Sequence, residues 1–262
     1  MSFNEKVCVV TGGALGIGRC IAREFAARGA AVAFIDINKT AGEENARHIM
    51  QNGGSAFFFH GDVADEQTLT KFADAVIEKY GKVDYLINNA CISRKGLLTG
   101  CSYADFEYVL RVGAVAPYML TKLFMEHFAT GASIVNISST RAHMSQSDTE
   151  SYSAAKGAIS ALTHAMAASL SGKVRVNSIA PGWIDTGSYH DEDYVAAHSA
   201  ADKAQHTSGR VGNPMDIART ALFLCDEQNS FINGQNICVD GGMTKLMIYS
   251  DDRGWQYDDQ CN

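Results

Sequence analysis

Residues 11–18 read TGGALGIG, four glycines in eight positions, placed directly after the apolar run KVCVV at 6–10 and directly before a helical pattern at 16–28 that carries Arg23 and Glu24. A strand that turns through glycines into a helix brings backbone N–H groups and the positive helix end up to an anion without Cβ interference. Few folds supply that geometry. The chain must have a strand whose carboxyl end opens onto a ligand, with the next helix starting there.

The rest of the chain repeats the pattern. Apolar runs rich in β-branched and aromatic residues occur at 31–36 (AVAFID), 55–60 (SAFFFH), 83–88 (VDYLIN), 133–138 (SIVNIS), 174–180 (VRVNSIA) and 236–240 (NICVD), with helical patterns between them near 39–52, 66–80, 103–128, 149–171 and 214–226. Near-continuous rather than alternating hydrophobicity is what strands covered on both faces require. Strand and helix in turn imply right-handed crossovers, hence an α/β, Rossmann-type, doubly wound parallel sheet of about seven strands. No linker, repeat or charge run divides the 262 residues, which predicts one domain. Two segments stand outside the alternation. The stretch 183–210, with helical potential in DEDYVAAHSAADKA, follows the sixth strand and is placed to act as a lid over the crevice. The acidic, aromatic tail at 245–262 is either disordered or packs on a neighbouring subunit.

Composition narrows the partners. A net charge of −7 argues against a nucleic-acid surface, which needs a basic patch, and favours a small molecule. The seven cysteines are scattered, with no C-x-x-C and no histidine at metal spacing, so they read as reduced thiols and no metal is expected. Residues 1–13 lack the basic and long apolar regions of a secretory leader, and no stretch reaches the roughly 18 uncharged apolar residues of a membrane span. The expectation is a cytoplasmic protein without membrane contact.

Asp36 ends the second apolar run, 18 residues beyond Gly18. An acid there accepts from adenosine ribose hydroxyls and repels a 2′-phosphate; otherwise it is a solvated turn residue. Ala14, Leu15 and Ile37 offer no positive charge to such a phosphate, and Lys39 is the one nearby cation, so NAD is favoured over NADP. Farther on, SYSAAKG at 151–157 puts Tyr152 and Lys156 one helical turn apart on one face, a spacing that by itself usually means a solvated lysine stem over a ring rather than chemistry.

The ordered set T-G-x-x-x-G-x-G, Asp62-Val63, NNA at 88–90, NISS at 136–139, YSAAK at 152–156, PGWIDT at 181–186 and a closing VDGG at 239–242 resembles the short-chain dehydrogenase/reductase family, over nearly the whole chain. The resemblance implies an NAD-dependent oxidoreductase that interconverts a secondary alcohol and a ketone. Tyr152 would pass a proton to or from the substrate oxygen while hydride moves at the nicotinamide. A phenol, with its ordinary pKa of about 10, needs a nearby ammonium to do this near neutrality, and Lys156 is placed to supply it. The resemblance gives Lys156 the nicotinamide ribose as well, and gives Ser139 the substrate oxygen, with Ser138 as its competitor. Cofactor contacts are implied for Gly12, Leu15, Gly16, Ile17 and Gly18 of the turn, Asp36 at the adenosine ribose, Asp62 and Val63 at the adenine, Asn89 and Ala90, Tyr152 and Lys156 themselves, and Pro181, Gly182, Ile184 and Thr186 near the carboxamide. Asn88 and Asn89 are also candidates simply to tie strands together. Ser147 and Glu150 read as a capping box that starts the Tyr152 helix.

Two positions depart from the family pattern. Cys91 stands where NNAG is usual, and a buried thiol there is expected to be accommodated as a small hydrophobe. Gly113 stands where the family has an asparagine that supports a kinked helix and a proton relay; with Pro117 four residues on, it permits a kink but supplies no amide. Gly113 leaves open an enzyme with a rearranged relay, a slow one, or an NAD-binding sensor or scaffold with little turnover. A lyase or epimerase using bound NAD is a third reading. The substrate expected is a sugar, polyol or hydroxysteroid. Relatives suggest a tetramer or dimer, with Ala154, Ala155, Gly157, Ala158 and Ala161 expected on exposed faces of the 149–171 helix.

Overall fold

The computed structural model describes residues 2–191 and 193–247, so the greater part of the 245–262 tail lies outside the described residues. Its elements are β1 (Val7–Thr11), α1 (Gly16–Ala27), β2 (Ala31–Asp36), α2 (Lys39–Gln51), β3 (Ser55–His60), α3 (Glu66–Tyr80) and β4 (Val83–Asn88), then α4 (Tyr103–Leu110), α5 (Ala116–Leu123), β5 (Phe128–Ile137), α6 (Glu150–Ser169), β6 (Arg175–Pro181), α7 (Ala200–Ala204), α8 (Pro214–Cys225) and β7 (Asn236–Val239). All seven strands are parallel, in the order β3-β2-β1-β4-β5-β6-β7. The order reverses between β1 and β4, and the crevice outside the carboxyl ends of those two strands is where an open α/β sheet takes its ligand.

Both faces of the sheet are covered, which is why the central strands tolerate unbroken apolar runs. On one face α1 and α8 pack Phe25, Ile21, Ile217 and Leu222 against Val10, Tyr85 and Ile179, and Phe3 stacks on Phe25 with ring centroids 5.2 Å apart. On the other face Phe72, Leu120, Phe124 and Met166 of α3, α5 and α6 and the following turn cover Val9, Leu86 and Ile134. Burying each such side chain contributes about 1.5–3 kcal/mol. Helix starts are set locally: the side chains of Asn38, Asp65 and Ser102 accept from Ala41, Thr68 and Asp105 N–H groups, and Gly81 ends α3 in the left-handed conformation. No helix of the described residues is long and apolar enough to cross a membrane, and among them no three His, Cys, Asp or Glu side chains cluster as metal ligands.

Four expectations are corrected. The 103–128 helix is broken: Arg111–Val115 forms a π-helical turn between α4 and α5, and β5 begins already at Phe128. The widened turn sits at Gly113, where a Cβ would lie 2.9 Å from the Ala155 Cβ, and Pro117, which has no N–H to continue the ladder, follows in the first turn of α5. Secondly, Ser147 and Glu150 do not form a capping box, because Asp148 adopts a left-handed φ of +67° and the Glu150 carboxylate accepts from Leu97 N at 3.1 Å. Thirdly, Ala155 is buried rather than exposed, since it faces Gly113. Lastly, among the described residues of 191–204 the helical potential is realised only in α7, started by a reciprocal Ser199–Asp202 cap. Upstream of it the Asp185 carboxylate accepts from the Tyr194 hydroxyl and pairs with His198 Nε2, both at 2.8 Å.

Candidate active site

The glycine turn does what its spacing requires. Gly12 has φ +66° and Gly16 φ +57°, and a Cβ at Gly18 would fall 2.0 Å from the Gly12 carbonyl oxygen, so α1 can start this close to β1 only with glycine there. Leu15 precedes α1 in extended conformation without a side-chain cap, and no acidic residue occupies its first turn. The positive end of α1 therefore points into a cavity of about 370 Å³. That cavity is lined by ten of the residues singled out in the sequence: Gly12, Leu15, Gly16, Ile17, Asp36, Asp62, Val63, Asn89, Ala90 and Thr186.

Asp36 sits at the tip of β2. One carboxylate oxygen accepts from Ala14 N and the other from Asn38 N, each at 2.9 Å, which braces the turn and leaves acceptor capacity on both oxygens. The cations nearby are committed elsewhere. Lys39 lies 3.8 Å from Glu43 on the surface, and Arg19, buried in α1, donates to the Ala14 carbonyl and pairs with Glu44. At the other side Asp62 accepts from the Tyr108 hydroxyl at 2.9 Å and from Ala64 N at 2.8 Å; burial and the Asp62 carboxylate together push the Tyr108 phenol up. Asn89 Nδ2 donates to the Thr11 and Gly12 carbonyls, clamping the turn to β4, and Asn88 Nδ2 donates to Asn136 Oδ1, tying β4 to β5.

The second group of residues lies along β5 and α6. Lys156 is 2% exposed; its ammonium donates to the Ile137 carbonyl at 2.7 Å and stands 5.4 Å from the centre of the Tyr152 ring. Arg141 approaches the same ring, its guanidinium carbon 5.8 Å from the centre. Of the two serines, Ser138 is the one bound into the interior: its hydroxyl bonds to the Lys156 carbonyl and to Ser160, which fixes α6 on the end of β5. The Ser139 hydroxyl accepts from Arg141 N at 3.1 Å and so also serves as a cap, retaining its own proton to donate. Ser139, Tyr152, Lys156, Gly18, Pro181, Gly182 and Ile184 do not line the 370 Å³ cavity itself. Gly182 is needed for backbone approach, since a Cβ would meet Asp240 at 2.6 Å. Ile184 bridges to Gly212 through Trp183 O and Asp185 N, which turns its own peptide groups the other way.

Sequence reasoning missed Tyr108, Val112 and Ile92 on the cavity wall, whereas His190 comes from the 183–210 segment expected over the crevice; it expected a buried thiol at Cys91, which is exposed and lines the cavity. Only a long-range contact, such as Tyr108 to Asp62, marks these positions. The glycine cradle, the uncapped helix end and the Asp36 carboxylate together fit a dinucleotide.

Known proteins agree with this architecture. A family model described as enoyl-(acyl carrier protein) reductase matches residues 12–244. An uncharacterized oxidoreductase of Thermotoga maritima is 42% identical over 94% of this chain and 98% of its own. Among solved structures, an apo SCOR enzyme from Clostridium thermocellum shares 45% identity with a TM-score of 0.85, covering 96% of this chain and 98% of that one. A 7α-hydroxysteroid dehydrogenase complexed with NADH and 7-oxo glycochenodeoxycholic acid shares 35% with a TM-score of 0.82, covering 92% and 95%. The chain belongs to the short-chain dehydrogenase/reductase family and is an oxidoreductase of that type.

Proposed function

We propose that this protein is an NAD-dependent dehydrogenase that interconverts a secondary alcohol and a ketone, with Tyr152 as the general acid/base, Lys156 as its electrostatic partner and Ser139 as the donor to the substrate oxygen. The observation that carries the reading is the junction of β5 and α6, where a buried ammonium lies beside the Tyr152 ring at the carboxyl end of the parallel strands, the end at which the glycine turn follows β1. When bound, NAD supplies the hydride acceptor. The chain's own residues bind and orient it: Gly12, Leu15, Gly16, Ile17 and Gly18 of the turn at the pyrophosphate, Asp36 at the adenosine ribose, Asp62 and Val63 at the adenine, and Asn89, Ala90, Pro181, Gly182, Ile184 and Thr186 toward the nicotinamide. In the oxidative direction the Tyr152 phenolate takes the hydroxyl proton, Ser139 holds the oxygen, and the ammonium of Lys156 stabilises the phenolate.

NAD is preferred because Asp36 presents a carboxylate where a 2′-phosphate would have to sit, while Lys39 and Arg19 are paired away from it. The NADH complex of the 7α-hydroxysteroid dehydrogenase lends the reading support, and a hydroxysteroid, polyol or sugar is the substrate class we assign. We also read the protein as a cytoplasmic homo-oligomer, a tetramer or dimer, since α6 leaves the small residues Ala154 and Ala161 exposed. Calorimetric titration with NAD and with NADP tests the cofactor reading: NAD is expected to bind at least about tenfold more tightly. Tighter binding of NADP would overturn it.

A further inference from the structure

The segment after β4 that carries Gly96, Leu97, Leu98 and Thr99 leaves the carboxyl end of the strand beside the start of α6, yet it buries little apolar surface. Leu97 and Leu98 are 82% and 79% exposed. Its order comes from hydrogen bonds to the three residues ahead of Tyr152 that touch it. Asp148 Oδ1 accepts from Leu98 N at 2.8 Å and Thr99 N at 3.2 Å, and Oδ2 accepts from the Thr99 hydroxyl at 2.5 Å. Glu150 accepts from Leu97 N at 3.1 Å, and the Ser151 hydroxyl donates to the Arg94 carbonyl at 3.3 Å.

The fit is close on both sides. A Cβ at Gly96 would stand 2.2 Å from Glu150 Oε2 and 2.5 Å from Asp148 Oδ1, so the loop backbone can sit on these carboxylates only as glycine. Asp148 holds a left-handed φ of +67°, a conformation that aspartate tolerates better than most residues and that aims its side chain at the loop. The Thr99 hydroxyl and the loop N–H groups hold the Asp148 carboxyl below the usual carboxylate range. Ser151, by contrast, is fully buried in α6, so the helix is the fixed partner and the loop the dependent one.

We propose that Asp148 is a positioning residue that clips the 96–99 loop to the Tyr152 helix and so fixes the substrate-side wall of the active site, an inference that rests on the dehydrogenase reading above. Segments that leave strand carboxyl ends border the ligand crevice in this fold, so a loosened loop weakens substrate capture and leaves the cofactor side untouched.

Two variants of the full chain separate the carboxylate from the backbone strain. Asp148→Gly keeps the left-handed φ without cost and removes all three acceptor contacts, whereas Asp148→Asn keeps the φ and the Oδ1 acceptor. Amide hydrogen exchange at Leu97, Leu98 and Thr99 is measured first, without substrate, followed by calorimetric NADH binding and steady-state oxidation of the hydroxysteroid, polyol or sugar that wild type turns over fastest in a panel of these alcohols. Asp148→Gly is expected to exchange about tenfold faster at these amides and to raise the KM for that alcohol about fivefold, with kcat and NADH affinity within about twofold of wild type. Asp148→Asn should stay within about twofold of wild type in every reading. Unchanged exchange in Asp148→Gly, or a fall in kcat and NADH affinity that matches the rise in KM, would overturn the proposal. A wild type inert toward every alcohol contradicts the dehydrogenase reading instead, and the exchange rates then decide the clip.

Discussion

The Lys156 ammonium donates to the Ile137 carbonyl while standing 5.4 Å from the centre of the Tyr152 ring, so one buried charge joins the end of β5 to the phenol of α6. The two side chains meet because four residues on a helix is one turn, and Ser138, bonded to the Lys156 carbonyl, keeps that turn seated on the strand. Tyr152→Phe keeps the ring and removes only the proton-carrying group. Its kcat is expected to fall about a hundred- to ten-thousand-fold while NADH affinity by calorimetry is unchanged.

Lys156→Met keeps the length of the stem but leaves the buried Ile137 carbonyl without this donor. Both kcat and NADH affinity should drop, the latter about tenfold. Lys156→Arg is not expected to rescue either quantity, since a planar guanidinium does not fit a site where Lys156 is only 2% exposed. Recovery of activity in Lys156→Arg would show that charge alone suffices.

Asp36→Ala removes the acceptor of the Ala14 N–H and, on the proposed reading, the carboxylate for the adenosine ribose of NAD. NAD affinity is expected to fall about tenfold and NADP affinity to rise until the two are comparable, as read by paired titrations. Loss of NAD binding without any gain for NADP would mean that Asp36 only braces the glycine turn.

Gly113 has lost more than an amide. The space beside it is taken by Ala155, so Gly113→Asn does not rebuild a relay and instead overpacks the contact between the π-helical turn and α6, destabilising the fold by about 1–3 kcal/mol in chemical denaturation. Gly113→Asn combined with Ala155→Gly should recover most of that loss. Full stability in Gly113→Asn alone would contradict the contact.

These cases mark what the sequence could disclose. The glycine turn, Asp36 and the six other strands were legible because each rests on local pattern: short apolar runs, glycine at positive φ, an acid at a strand tip. The 103–128 break was half legible, since Gly113 and Pro117 announce a kink, while the closeness of Ala155 that fills the gap is a tertiary fact. Glu150 reads locally as a cap and is drawn instead to Leu97, a partner 53 residues away. His190 reaches the cavity from the 183–210 segment, whose place after β6 announces it, while Tyr108 reaches it from α4 and no local spacing announces that.

Asp216 gives a stability test with a definite sign. Arg210 binds both of its oxygens at 2.7 Å, and this pairing holds the carboxyl below its usual value even though partial burial opposes it. A carboxyl with a lowered folded-state pKa adds stability that is present above the unfolded value of about 3.9 and is lost as pH falls through the folded one. Thermal melts should therefore show Asp216→Asn below wild type at about pH 6, with the gap closing as pH falls below about 4. A gap that stays constant across that range would rule out the ion pair as its source.

The most direct test of the central claim is to follow the near-ultraviolet absorbance of reduced nicotinamide as wild type and Tyr152→Phe are given NAD with a panel of hydroxysteroids, polyols and sugars. The account predicts NADH formation by wild type on at least one of these alcohols and its near abolition in Tyr152→Phe. Tight NAD binding with no NADH formed from any of them, or equal rates in the two proteins, would contradict it.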